Sequence, residues 1–504
     1  MNRKKRHAPQ LVYLLMGVFF LVLAGLSILS GSLRVPTNPL PAPDDLEAYP
    51  LYADAVIPCN IAPLNFHINN EAYEYLTRVS SINGKPLLVK GKTVQWEIRK
   101  WKRFLEANKG QPILFDVYVK RDGVWFHFPT LKNLVAPEPI DPYIVYRLIQ
   151  PLYTTYEEMS INQRSLESFD VKRVYDNRKI TPERSGQCVN CHAFQQYNQR
   201  GVMQLHFRGD FGGTVFVDGK KNTRVNTKPE GLSAGAVYPA WHPTLPLVAY
   251  SINKIGQDFH TKDRQKTEVM DSESDLILYR VDNNLVVPMG TTPDWLETFP
   301  SWSPDGHYLY YSIAAFDTAN YYVDQYQRIR YNLVRRAFNQ TDYSLGEADT
   351  VLNAAQFGKS AALPRLSPDG RYLLFSMADY GNFHIWHKTS DLYLMNLATW
   401  QWRKLEAVNS QDVESYHSWS SNGRWILFSS RRDDGSYTRL YIAYFDQDGI
   451  AHKPFVLPQR RPLNDKQLFK SYNVPEFITH PVTTDQHRLM KALKQNPVQA
   501  TVTN

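Results

Sequence analysis

The chain has 504 residues and a mass of 58.3 kDa, too long for one average domain and long enough for two or three. Hydrophobic residues make up 43% and charged residues 21%, which excludes wholesale disorder and a collagen-like fibre, and three cysteines are too few for a disulfide-stapled scaffold. The net charge is +8, but half of that excess is Arg3, Lys4, Lys5 and Arg6, so the rest of the chain is too weakly basic to point to nucleic acid.

The basic start, residues 1–10, reads as a cytoplasmic tail. It runs into an uncharged apolar stretch from Leu11 to Leu29. At 1.5 Å per residue that stretch measures roughly 28 Å, about the thickness of the bilayer hydrocarbon. The expectation is an uncleaved single-pass anchor over 11–31, with the positive end in the cytoplasm and the bulk of the chain outside the cytoplasmic membrane. A cleaved signal peptide is the alternative; the segment is long for one and lacks a convincing small-residue cleavage site.

Residues 32–58 are Pro-rich at their start and read as a linker. Residues 59–140 carry mixed signals and read as a small α+β or β-sandwich-like domain. The apolar set Trp96, Ile98, Trp101, Phe104 and Leu105 predicts a helix near 96–107. Two β-rich runs, 113–119 and 124–128, flank Arg121-Asp122-Gly123 and predict a hairpin. Cys59 reads as a small buried residue.

One motif carries sharp chemistry. Cys188-Val189-Asn190-Cys191-His192 is Cys-x-x-Cys-His, the attachment pattern of c-type haem. Two thiols three residues apart reach the two vinyl groups of one porphyrin edge, and the adjacent histidine supplies an axial ligand to the iron. A thioredoxin-like pair would want a βαβ setting, and zinc would want a second Cys or His pair; neither is evident. A Cys188–Cys191 disulfide would close only a trivial loop. The expected cofactor is one covalent haem c, with 141–230 as its attachment region. His206 is the favoured sixth ligand, Met203 the next, and an empty position is the third option; His67, His127 and His242 are more remote choices. Arg184 and Arg208 flank the motif and suit haem propionates.

From 231 to 477 the chain repeats. Tyr238-Pro239-Ala240-Trp241-His242-Pro243, Phe299-Pro300-Ser301-Trp302-Ser303-Pro304-Asp305-Gly306, Leu363-Pro364-Arg365-Leu366-Ser367-Pro368-Asp369-Gly370 and Tyr416-His417-Ser418-Trp419-Ser420-Ser421-Asn422-Gly423 are each followed by a β-rich run ending in serine. Strand, turn and second strand at spacings of roughly 50 to 65 residues predict β-propeller blades. Four are plain, and one or two irregular ones are expected from the preceding region or the tail, making about six. Residues 478–504 read as a polar tail, with a short helix near 487–495 and disorder from Thr501 to Asn504. Asp275, Asp305, Asp369 and Asp391 read as turn and strand-start residues.

The Trp-Ser-Pro-Asp-Gly units resemble the repeats of TolB-type propellers of the Gram-negative envelope, over roughly 230–460. The whole chain is similar to membrane-anchored bacterial envelope proteins that combine this propeller with one Cys-x-x-Cys-His. The resemblance implies a mainly β fold, a periplasmic location, and an envelope protein or redox protein as partner; a glycan is a further candidate. The motif implies electron transfer through haem, with a scaffold or recognition propeller bearing a structural or sensory haem as the alternative, and a peroxidase-like haem enzyme if the sixth position is open. No Gly-x-x-x-x-Gly-Lys-Ser/Thr, Gly-x-Ser-x-Gly or His-Glu-x-x-His motif occurs, so an electron carrier is expected rather than a hydrolase or transferase.

Overall fold

The computed structural model describes residues 33–150, 158–179, 188–232, 234–260, 267–290, 294–316 and 326–502. The expected anchor at 11–31 lies outside the described residues, as does Arg184. Among the described residues no helix is long and apolar enough to cross a membrane.

The chain is mainly β. Residues 40–135 form the N-terminal unit, built on a seven-stranded sheet with one helix, Ile98–Ala107. Glu97 caps that helix, its carboxylate accepting from the amides of Arg99 and Lys100. Trp101, Phe104 and Leu105 form its buried face, and Trp101 packs on Trp96 and Phe115. The expected hairpin is present: Pro112–Arg121 pairs with Val124–His127 around Asp122 and Gly123, both at positive φ as a tight two-residue turn requires. The expected linker is partly recruited, since Leu40–Pro41 and Val56–Ile57 pair along this sheet. Cys59 is buried, its thiol directed at the Pro137 carbonyl.

Six further sheets follow. The first joins Tyr143–Ile149, Ser160–Ser165 and Val171–Asp176 to the C-terminal strand Ser471–Ile478, which lies innermost. The second is Cys188–Phe194, Val202–Arg208, Gly213–Asp218 and Lys221–Asn226. Four more begin with Ala236–Trp241, Trp295–Trp302, Ser360–Leu366 and Glu414–Trp419. Each is an antiparallel meander, and each innermost strand lies against that of the next sheet. The ring closes where Thr479 donates to the Tyr197 carbonyl. This is a propeller in which a strand from near the C-terminus, Ser471–Ile478, completes the first sheet. The propeller therefore starts near 143, not 231, and the expected haem-attachment region is itself two sheets of the ring.

The repeats explain their own turns. The Ser303 amide donates to the Tyr308 carbonyl at 2.8 Å and the Tyr308 amide to the Ser303 hydroxyl at 2.9 Å, Gly306 donates to the Ser303 carbonyl at 2.9 Å, and Asp305 accepts from the His307 amide at 3.0 Å. Ser367 to Tyr372 and Ser420 to Trp425 repeat this arrangement. Asp305 and Asp369 are thus turn residues, and Asp391 pairs with Lys404 at 2.7 Å. The tail is ordered rather than loose as far as Val502: Gln486–Leu493 is a helix whose apolar face joins the core of the first two sheets, and residues 498–499 and 501–502 add to the outer edges of the second and third sheets.

Propeller and N-terminal unit share one apolar core. Their boundary is fastened by Asp141, which accepts from the Ser421 amide and hydroxyl, and by the Trp425 indole, which donates to the Pro139 carbonyl at 3.1 Å.

Candidate functional site

The innermost strand of every sheet is interrupted at one place by a β-bulge. The bulged pairs are Asn190-Cys191, Tyr238-Pro239, Phe299-Pro300, Leu363-Pro364, Tyr416-His417 and Val474-Pro475. In five of them the first residue takes a left-handed φ between 45° and 58°: Tyr238, Phe299, Leu363, Tyr416 and Val474. A bulge bends its strand and re-aims the side chain. Here all six bulges aim at the axis of the ring, and Cys-x-x-Cys-His occupies the second sheet's copy.

The residues around the bulges enclose a cavity of about 390 Å³, within the range of ligand pockets. Cys188, Cys191, His192 and Arg208, all singled out from the sequence, line it together. Arg147 and Arg365 add two more guanidinium groups. Tyr238, Phe299, Phe383 and Tyr416 supply aromatic walls, and Ile255 and Val269 reach in from the long third-sheet hairpin.

Both thiols are buried and are not joined to each other. Burial pushes Cys188 up to about 11 and raises Cys191, so both are neutral thiols at neutral pH, the opposite of a thioredoxin-type low-pKa cysteine. His192 is held down to about 3, first by burial and then by the charge of Arg147. The carbonyls of Val145 and Val474 act on its ring, yet neither ring nitrogen makes a hydrogen bond of normal geometry. A neutral buried imidazole without a well-formed hydrogen bond, beside two neutral thiols in a cationic, aromatic-walled cavity, is a donor set compatible with haem: the cysteines would take the thioether links, the imidazole the iron, and arginine the propionates. Among the described residues no three His, Cys, Asp or Glu side chains converge as a metal site, but a porphyrin brings four donors of its own and asks the chain for one imidazole.

The expected distal ligands are placed elsewhere. His192 pairs in register with Leu205, so Met203, Leu205 and Phe207 face the first sheet's core while Gln204 and His206 point to the other side. His206 is buried against Gly235, with Nδ1 3.2 Å from the Thr214 hydroxyl, and does not line the cavity. Met203 is packed in the apolar core between the first two sheets. His67 and His127 belong to the N-terminal unit, beside Thr93 and Asp116, and His242 accepts at Nδ1 from the Thr244 and Leu245 amides of its own turn, with Nε2 at 3.2 Å from the Gly306 carbonyl of the next repeat.

Arg147, Arg365 and Glu476 were not singled out from the sequence. Directly after the bulge the six strands present His192, Ala240, Ser301, Arg365, Ser418 and Glu476. Arg365 and Glu476 pair at 3.6 Å, and burial lifts the Glu476 carboxyl to about 7 against the opposing pull of Arg365. A second chamber of about 370 Å³ lies beyond this pair, lined by Trp241, Trp302, Trp419 and Phe477; Pro239, Arg365 and Glu476 line both chambers. Aligning the bulged pairs across the repeats would have marked Arg365. Nothing local marks Arg147 or Glu476, because their sheet is assembled from opposite ends of the chain.

No protein-family model matches the chain, and no curated protein matches it. Among solved structures it is similar to TolB from Acinetobacter baumannii, with 12% identity over 76% of this chain and 85% of that one and a TM-score of 0.38. It is also similar to the oligogalacturonate lyase of Vibrio parahaemolyticus (11%, 61% and 92%, TM-score 0.33) and to a puromycin-hydrolyzing peptidase of Mycobacterium tuberculosis (11%, 63% and 45%, TM-score 0.35). Likeness at this level carries no argument about the site; the propeller stands on the sheet topology itself.

Proposed function

We propose that this chain is a six-bladed, membrane-anchored propeller holding one covalent haem c at its axis, on the outer side of the cytoplasmic membrane, and that it transfers electrons. What supports the reading is a convergence: both thiols of the motif, its histidine and Arg208 line one buried cavity. Cys188 and Cys191 would anchor the group, His192 would hold the iron, and Arg208 with Arg147 or Arg365 would face the propionates. Bound there, haem supplies one-electron exchange. The chain itself keeps the imidazole neutral and fixed, shields the site with aromatic walls, and sets positive charge around it. The partner in this reading is a redox protein of the envelope.

The alternative is a recognition propeller whose haem is structural or sensory, with an envelope protein or glycan as partner. The second, tryptophan-lined chamber favours it. That case is weakened because the indoles of Trp302 and Trp419 already donate to the Ala240 and Arg365 carbonyls.

The test is expression in a host that matures c-type cytochromes, followed by intact mass and a pyridine haemochrome spectrum. One haem added to the polypeptide mass, absent from Cys188→Ser/Cys191→Ser, is the expected result. Unmodified polypeptide mass overturns the reading.

A further inference from the structure

We propose that the iron position opposite His192 is left to a diatomic gas rather than to a side chain of this protein. The inference rests on the haem reading above and specifies what that site binds.

It starts from the imidazoles and thioethers of the chain. Among the described residues lining the cavity, His192 is the only imidazole, and no methionine is present. His206 and Met203, the nearest in sequence, are turned to the two faces of their own sheet, each packed against a neighbouring sheet. His417 sits in the bulge of the sixth sheet, but its Nε2 is 3.2 Å from the Leu374 carbonyl and the ring does not reach the cavity. His384 is engaged by Ser376 and by the Gly381 carbonyl, and His387 by Glu268 at 2.8 Å. The internal stretches outside the described residues contain neither histidine nor methionine, and His7 and Met16 lie before and within the apolar anchor segment. Among the described residues no second histidine or methionine lines the cavity, and its tyrosines, Tyr238 and Tyr416, are packed into the apolar cluster of the wall.

The walls choose the ligand. Phe299, Phe383, Ile255 and Val269 form an apolar surface that offers little to a large polar substrate. The three arginines of the lining are the part suited to propionates, and Glu476 is paired with Arg365. A small neutral molecule that bonds to iron and asks for few hydrogen bonds fits what is left.

The experiment uses full-length protein from a cytochrome-maturing host, with the pyridine haemochrome recorded first on the same preparation. A missing haemochrome sinks the haem reading, and this proposal with it. With haem present, the expected result is a high-spin ferric spectrum and, after dithionite reduction, a Soret shift that saturates at one carbon monoxide per haem. His206→Ala should leave both unchanged. A low-spin spectrum in both oxidation states that does not respond to carbon monoxide would overturn the proposal while leaving the haem reading standing. Carbon monoxide binding gained only in His206→Ala would also overturn it, by assigning the sixth position to His206.

Discussion

The inner strands of the second and fourth sheets occupy the same place in the ring and do opposite things with it. In the fourth, Phe299-Pro300-Ser301-Trp302 bulges toward the axis and at once spends its side chains on packing. Trp302 meets His242 and Phe338 edge-on, with ring centroids 4.9 and 4.8 Å away, and donates to the Ala240 carbonyl. In the second, the matching residues are Asn190-Cys191-His192-Ala193. Alanine stands where the tryptophan would bind the sheets together, and the imidazole before it makes no normal hydrogen bond. A repeated backbone feature thus serves as a joint in one sheet and as a presentation platform in another, and the platform forgoes the joint's stabilisation.

Breaking the joint should give the largest effect on stability. Trp302→Ala removes a buried indole from between two sheets and leaves the Ala240 carbonyl without its donor. The expected loss is about 3–5 kcal/mol, read as a lower denaturant midpoint. A loss below about 1 kcal/mol would mean that the fourth sheet's strand is no more of a joint than the second's.

Acid should act next, through buried histidines of the second sheet and elsewhere in the ring. His192, His206, His384 and His417 are each held down to about 3 by burial, and His242 to about 4. Between those values and about 6.5 the unfolded chain takes up protons that the folded chain refuses, so stability falls as pH drops through that window. Asp271, Glu297 and Glu476 act in the opposite sense. Burial raises each to about 7, so the folded state holds a proton that the unfolded state releases above about 4, and stability falls as pH rises toward 7. Burial also raises Asp141, Asp275, Asp391, Glu414 and Asp465, so the two groups of residues oppose each other and the histidine share of the slope is read by substitution. His206→Gln should reduce that slope by about 1.4 kcal/mol per pH unit, measured as denaturation midpoints across the range. An unchanged slope would show that His206 is not held neutral.

The same contrast marks how far the sequence could be read. The repeats disclosed four sheets because each carries its turn chemistry in one short stretch, from the bulge through Ser-Pro-Asp-Gly or Ser-Ser-Asn-Gly. The second sheet lacks that stretch: after Phe194 the chain enters a short turn with Gln196, Tyr197 and Asn198 at positive φ. The first sheet is hidden for a different reason. Its innermost strand, Ser471–Ile478, pairs with Tyr143–Ile149, more than three hundred residues away, and no local pattern announces such a partner. At the site, motif spacing named both thiols, His192 and Arg208, because that chemistry is local. The preference for His206 followed sequence proximity, and strand alternation turned it away, since a one-residue step reverses the face. Arg147, Arg365 and Glu476 come from three separate strands, and only ring closure brings them together.

The smallest expected effect sharpens the comparison most. In protein made without haem, His192→Leu exchanges a buried imidazole with unmet hydrogen-bonding capacity for an apolar side chain of similar bulk. A buried polar group without good partners costs about 1–3 kcal/mol, while loss of the contacts to the Val145 and Val474 carbonyls offsets part of the gain. The expected result is a denaturation midpoint equal to wild type or raised by about 1 kcal/mol. Trp302→Ala in the fourth sheet, with its expected loss of about 3–5 kcal/mol, provides the comparison. If His192→Leu destabilises as much as Trp302→Ala, the second sheet's bulge is a joint like the others and the imidazole belongs to the fold. If it does not, the imidazole is kept at a cost to the haem-free protein, as expected of a residue kept for a bound group rather than for the fold.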